Sequence, residues 1–282
     1  MTVAGKEIVV TGATDGIGKV SARELAKLGA SVTIVGRNAA KGEAVASELR
    51  QAAGHDRVGF VQADLESQKG VRAAAAAIKA RVKRLDVLLN NAGAMFQKRQ
   101  LSEDGIEKTF ALNHLGYFLL THELLDLLKA SGPSRVVNVA SAAHQGAKLD
   151  LSDLQNEKRY SGWSAYGQSK LANIYFTYEL ARRLEGSGVS ANCLHPGFVA
   201  SRFGDNNGGL VKLVIGFAKS AFAISEDEGA KTSVYLASSP EVAGVSGKYF
   251  DKCKAVSTSS VSYDSDVARD LWRQSERLTG VG

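Results

Sequence analysis

The chain has 282 residues, a formal net charge of +6 and two cysteines. That length suits one large α/β domain able to bury its own core, and Cys193 and Cys253 are too few and too distant for a disulfide framework or a thiolate metal cluster. Lys and Arg are scattered through helix-like segments rather than gathered with aromatics, so neither a nucleic-acid partner nor a bound metal is expected.

Along the chain, EIVVTG, SVTIVG, RVGFVQAD, LDVLLNNAG, SRVVNVAS, SANCLHPG and GKYFD have the apolar character of strands that run into turns. Helical segments separate them. SARELAKLGA and AAKGEAVASELRQAAG end on a glycine placed as a C-cap, and SQKGVRAAAAAIKARVKRL is rich in strong helix formers. Strands apolar on both faces, alternating with helices, predict a single-domain doubly wound, Rossmann-like α/β fold over residues 1–282. Its seven-stranded parallel sheet would be flanked by helices, with the ligand crevice at the strand C-terminal ends. The first strand begins by Lys6, which leaves no space for a secretory signal, and the apolar run LVKLVIGFAKSAFAI is broken by Lys212 and Lys219. No transmembrane segment and a cytoplasmic location are expected.

The first strand runs into Thr11-Gly12-Ala13-Thr14-Asp15-Gly16-Ile17-Gly18 and then into a helix. In this context Gly12 makes a tight turn, Gly16 leaves room for a pyrophosphate and Gly18 lets the helix pack close, so the unpaired amides at the helix start would meet the phosphates of a dinucleotide. Gly18-Lys19 is followed by Val20 rather than serine or threonine, so the run is not the loop of a nucleoside triphosphatase. After the second strand, where an NAD site would carry a carboxylate, the chain reads Arg37-Asn38, with Lys41 one helical turn on. Arg37 is therefore the candidate clamp for a ribose 2′-phosphate, and NADP(H) the expected cofactor. Asp15 opposes that choice by its charge, unless it caps the following helix. Asp64, followed by Leu65, either meets the adenine amine or caps a helix. Asn91, Ala92 and Gly93 close the fourth strand, where small residues leave space and asparagines tie neighbouring turns.

Tyr166 and Lys170 stand four residues apart in SAYGQSKLANIYF, which puts them on one helical face. A nearby ammonium, made stronger by a positively charged cofactor ring, favours the phenolate, so Tyr166 is a candidate proton donor; a satisfied core tyrosine beside a snorkelling lysine has the same spacing. The polar connection from Ser141 to this helix is long enough to shape a site, and the segment from about 197 to 224 is expected to cover the substrate, the alternative being a surface excursion with one packed helix.

The ordered set TGATDGIG, NNAG, Asn113, Ser141, YGQSK and HPG resembles the classical short-chain dehydrogenases/reductases over the whole chain. The resemblance narrows to the retinol dehydrogenase-like branch through DGIEKTFALNHLGYFLLTHELLDLL, SRVVNVASAAH, QSKLANIYFTYELARRLEGSGV and SGKYFDKCK. It implies Tyr166 as general acid, Ser141 as holder of the substrate oxygen, Lys170 as partner of the nicotinamide ribose and Asn113 as holder of a relay water. Pro196, Gly197 and Val199 would border the nicotinamide. The threonine usual after HPG is replaced by the run Phe198-Val199-Ala200-Ser201, so that contact falls to Ser201 or is weaker. The implied activity is an NADP(H)-dependent oxidoreductase interconverting a lipophilic or aromatic carbonyl and its alcohol, as a homodimer or homotetramer. A reductase of steroids, quinones or secondary metabolites is the near alternative. A non-catalytic dinucleotide sensor is the distant one, opposed by the presence of Ser141, Tyr166 and Lys170 together.

Overall fold

The computed structural model describes residues 3–197 and 224–282. Val199, and the expected covering segment apart from its two ends, lie outside the described residues.

Among the described residues eight strands form one sheet: β1 (Glu7–Thr11), β2 (Ser31–Gly36), β3 (Val58–Gln62), β4 (Val87–Asn90), β5 (Ser134–Val139), β6 (Val189–Leu194), β7 (Tyr249–Asp251) and β8 (Lys254–Val256). Their order is β3-β2-β1-β4-β5-β6-β7-β8. The first seven are parallel, as expected, and β8 adds an antiparallel edge by pairing Asp251 with Lys254. The turn between β7 and β8 holds Lys252 and Cys253 at φ 46° and 61°, without the glycine or asparagine that would mark it.

The helices are α1 (Gly16–Lys27), α2 (Ala39–Ala53), α3 (Gln68–Arg81), α4 (Gly116–Ser131), α5 (Gly162–Arg183), α6 (Glu226–Ser238) and α7 (Ser265–Thr279). Alternate strand residues divide the core in two. Val9, Val35, Val61, Leu88 and Val136 face one layer with Val71, Leu120, Leu124, Phe176 and Leu180 of α3, α4 and α5. Ile8, Val10, Ile34, Leu89 and Val137 face the other with Leu25, Leu49 and Leu236 of α1, α2 and α6. Each such side chain, fully buried, contributes about 1.5–3 kcal/mol of transfer free energy, which holds helices on both faces of the parallel sheet.

Local signals set the helix ends. Asp15 caps α1 by accepting from the Gly16 amide, Asn38 caps α2 by accepting from Lys41, and Gly54 closes α2 in the left-handed conformation. The start of α3 differs from one expectation for Asp64. Ser67 is the cap there, accepting from the Gly70 amide at 3.1 Å, while Asp64 turns back to accept from Glu66 at 3.0 Å. Asp64 stands three residues before the cap position and does not reach the first turn of the helix.

Candidate active site

The strand order reverses at β1, which pairs with β2 on one side and β4 on the other. Such a switch point opens a crevice at the C-terminal ends of the strands, and the expected cofactor residues gather there. A β-carbon added at Gly12 would lie 2.7 Å from the Ala92 Cα, and one at Gly18 would lie 2.4 Å from Asn91 Nδ2. Any side chain at either position would push the turns after β1 and β4 apart. Asn91 ties them together, donating to the Thr11 and Gly12 carbonyls at 2.9 and 3.3 Å, while the Asn91 and Ala92 amides donate to Thr11 Oγ1. Thr14 packs against Gly36 at the end of β2, Gly16 and Ile17 open α1, and Gly93 lies between Asn113 and Lys170. A bare backbone shelf at a helix N-terminus fits a dinucleotide pyrophosphate.

At the far end of the crevice Arg37 follows β2 with its side chain 63% exposed, bonded to Glu66 at 3.0 Å. Glu66 is buried and also receives Lys108 at 3.2 Å. Lys41 pairs with Asp15 at 2.6 Å. The acid inside the glycine turn is therefore matched by a cation and engaged in capping, while Arg37 keeps donor groups open to solvent. Sequence reasoning passed over Glu66 because both of its partners are distant in the chain. Leu65 is buried beside it.

The chemical end lies between β5 and α5. Ser141 follows β5 with its hydroxyl oxygen accepting from the Ala143 amide at 3.1 Å, and the same hydroxyl is near enough to the Tyr166 phenol to favour its ionised form. Lys170 donates to the Val139 carbonyl at 2.8 Å and lies 5.7 Å from the centre of the Tyr166 ring. Helix α5 approaches closely at its start, where a β-carbon on Gly162 would lie 2.5 Å from the Phe96 carbonyl oxygen. Trp163, 61% exposed, stands 6.3 Å from Tyr166, ring centre to ring centre. Pro196 and Gly197 turn away from the end of β6.

Asn113 sits in a π turn, Ala111–Leu115, immediately before α4. A wide turn inside a helix often marks a site, and here it aims a buried side chain across the fold. Asn113 Oδ1 accepts from the Ala94 amide, and Nδ2 donates to the Ala94 carbonyl and to Ser169, all at 2.9 Å. Ser169 in turn donates to the Tyr166 carbonyl at 2.8 Å. The side chain thus locks the turn after β4 to the helix that carries Tyr166 and Lys170.

Burial sets the charges. It raises Tyr166 to about 12, with the Ser141 hydrogen bond pulling the other way, and lowers Lys170 to about 7. Both shifts favour the uncharged forms because desolvation penalises charge, and the expected bias toward phenolate rests in addition on a positively charged cofactor ring beside Lys170.

Residues 6–208 match the short chain dehydrogenase family. The chain is 45% identical to retinol dehydrogenase 12 of Mus musculus, over 99% of its own length and 88% of that protein. Among solved structures it is similar to a protein from Mycobacterium paratuberculosis, 37% identical with a TM-score of 0.80, covering 99% of this chain and 95% of that one. It is also similar to the RhlG/NADP active-site complex of Pseudomonas aeruginosa, 29% identical with a TM-score of 0.71, covering 88% and 95%. The protein belongs to the short-chain dehydrogenase/reductase family. Within the family it falls in the retinol dehydrogenase-like branch and is an oxidoreductase of alcohols and carbonyls. No helix among the described residues is long and apolar enough to cross a membrane.

Proposed function

We propose that the protein is an NADP(H)-dependent oxidoreductase that interconverts a lipophilic or aromatic carbonyl and its alcohol. The observation that carries this is one crevice with Ser141, Tyr166 and Lys170 gathered at the end of β5 and the start of α5, and the open Arg37 guanidinium at the other end. The dinucleotide supplies or accepts the hydride. Tyr166 gives its phenolic proton to the substrate oxygen in reduction and takes it back in oxidation. Ser141 donates a second hydrogen bond to that oxygen, so charge developing on it meets donors already in place. Lys170 supports the tyrosine from the same helix, and Asn113 fixes the helix against the turn after β4. The RhlG relative bound to NADP supports the cofactor choice.

The test is turnover of aromatic aldehydes, retinal, steroids and quinones with NADPH and, separately, NADH. NADPH-preferring reduction of apolar carbonyls is the expected result, and equal use of both cofactors would reject the preference. Arg37→Ala should raise KM for NADPH by roughly tenfold or more, since a charge-assisted hydrogen bond contributes about 1.5–3 kcal/mol. KM for NADH should barely move, and equal losses for the two cofactors would reject the clamp.

Trp163 offers an apolar wall beside Tyr166 and supports a lipophilic substrate. Trp163→Ala should raise KM for long or aromatic carbonyls while leaving a two-carbon aldehyde unaffected. A uniform change across the series would place Trp163 outside substrate recognition. A homodimer or homotetramer, expected from the family, belongs to the same reading.

A further inference from the structure

His195 follows directly on β6, and its amide continues the ladder to the Phe250 carbonyl at 3.1 Å. Its ring is held at both nitrogens. Nδ1 accepts from the Gly197 amide at 3.0 Å, and Nε2 lies 3.2 Å from Asp251 Oδ1 at the end of β7. An acceptor at Nδ1 requires the proton at Nε2, where the carboxylate receives it, so Asp251 selects the tautomer that can hold Gly197.

The ring plane is fixed as well. It stacks on Tyr249 at 6.1 Å and 18°, and Tyr249 meets His144 edge to face at 5.2 Å. His144 Nδ1 donates to the Ser141 carbonyl at 2.7 Å, and His144 Nε2 accepts from the Ser259 amide at 3.3 Å. A run of three packed rings therefore joins the Ser141 backbone to the Pro196–Gly197 turn. Gly197 has φ +85°, and a β-carbon there would lie 2.7 Å from Ile224 Cδ1, so the turn has little space in which to shift.

The geometry points to His195 and Asp251 as a positioning pair that holds the Pro196–Gly197 turn in the orientation hydride transfer requires. This rests on the site assignment above and concerns a different contact. Neither residue touches reacting atoms; His195 acts through the Gly197 amide, and Asp251 acts through the tautomer of His195.

Two substitutions separate this from a structural role at the strand end. In His195→Asn the amide oxygen occupies the place of Nδ1 and still accepts from Gly197, whereas in His195→Gln the amide reaches toward Asp251 and leaves Gly197 without its acceptor. Exchange of the Gly197 amide, followed by NMR on the full-length protein, should quicken by about tenfold or more in the Gln variant and stay near the native rate in the Asn variant. With NADPH and an aromatic aldehyde, kcat should fall by about tenfold or more in Gln and be largely retained in Asn, with thermal stability similar in both. Unchanged exchange in Gln, or equal loss of kcat in the two variants, would overturn the pair. Absence of turnover in the unsubstituted protein would overturn the site assignment instead, and amide exchange would still report whether His195 holds the turn.

Discussion

Tyr166→Phe is expected to lower kcat by about 10²–10⁴-fold, the contribution of a positioned general acid, while leaving cofactor binding and thermal stability nearly unchanged. Phe keeps the ring, which is 9% exposed, and loses only the hydroxyl that meets Ser141. Ser141 then retains its bond from Ala143 and can still hold the substrate oxygen. Oxygen polarisation survives in the variant, and proton delivery does not. Burial raises Tyr166 to about 12, which favours the acid form that reduction needs. Lys170, brought to about 7 by the same burial, gains charge readily as negative charge grows on the phenol. Steady-state kinetics in both directions, with NADPH titration as the binding control, measure the effect. A variant retaining more than about one tenth of native kcat would remove Tyr166 from the chemistry.

The parts of the site legible in the sequence are those whose signal is local. The glycine turn before α1, the cap residue Asp15, and the i, i+4 spacing of Tyr166 and Lys170 each express a constraint within a few residues, and the fold keeps all of them. What escaped depends on contacts distant in the chain. Strand β8 is three exposed residues after a turn of left-handed Lys252 and Cys253, with no alternation of apolar residues to announce it. Glu66 matters because Arg37 and Lys108 converge on it, and Asp251 because β7 lies beside β6. Spacing reveals that a phenol and an ammonium are neighbours, but not how deeply both are buried, and burial disfavours the charged form of each. The histidine before Pro196 was visible only as part of a motif; its partner at Asp251 gives it a task.

Trp272→Ala is expected to destabilise the protein by about 3–5 kcal/mol, the range for truncating a large buried aromatic side chain. Helix α7 is amphipathic, with Ala268, Leu271, Trp272, Ser275 and Thr279 forming its buried stripe. Trp272 is the largest of these. Its ring meets Phe118 edge-on at 5.0 Å and stacks near Phe176 at 5.8 Å, so it joins α4 to α5. The Arg183 guanidinium lies 4.2 Å above the ring, and the indole N–H donates to Glu276 at 2.6 Å. Alanine would leave a cavity between three helices and strand the outer faces of α4 and α5 against a weakened α7. Activity should survive at temperatures where the variant is folded, because Lys170 is held from the sheet side by Val139 and Tyr166 by Ser141. Urea unfolding should therefore shift strongly while kcat at low temperature does not. A loss below about 1 kcal/mol would mean that α7 contributes little to the fold, and a loss of kcat in the folded variant would mean that it sets the site geometry through α5.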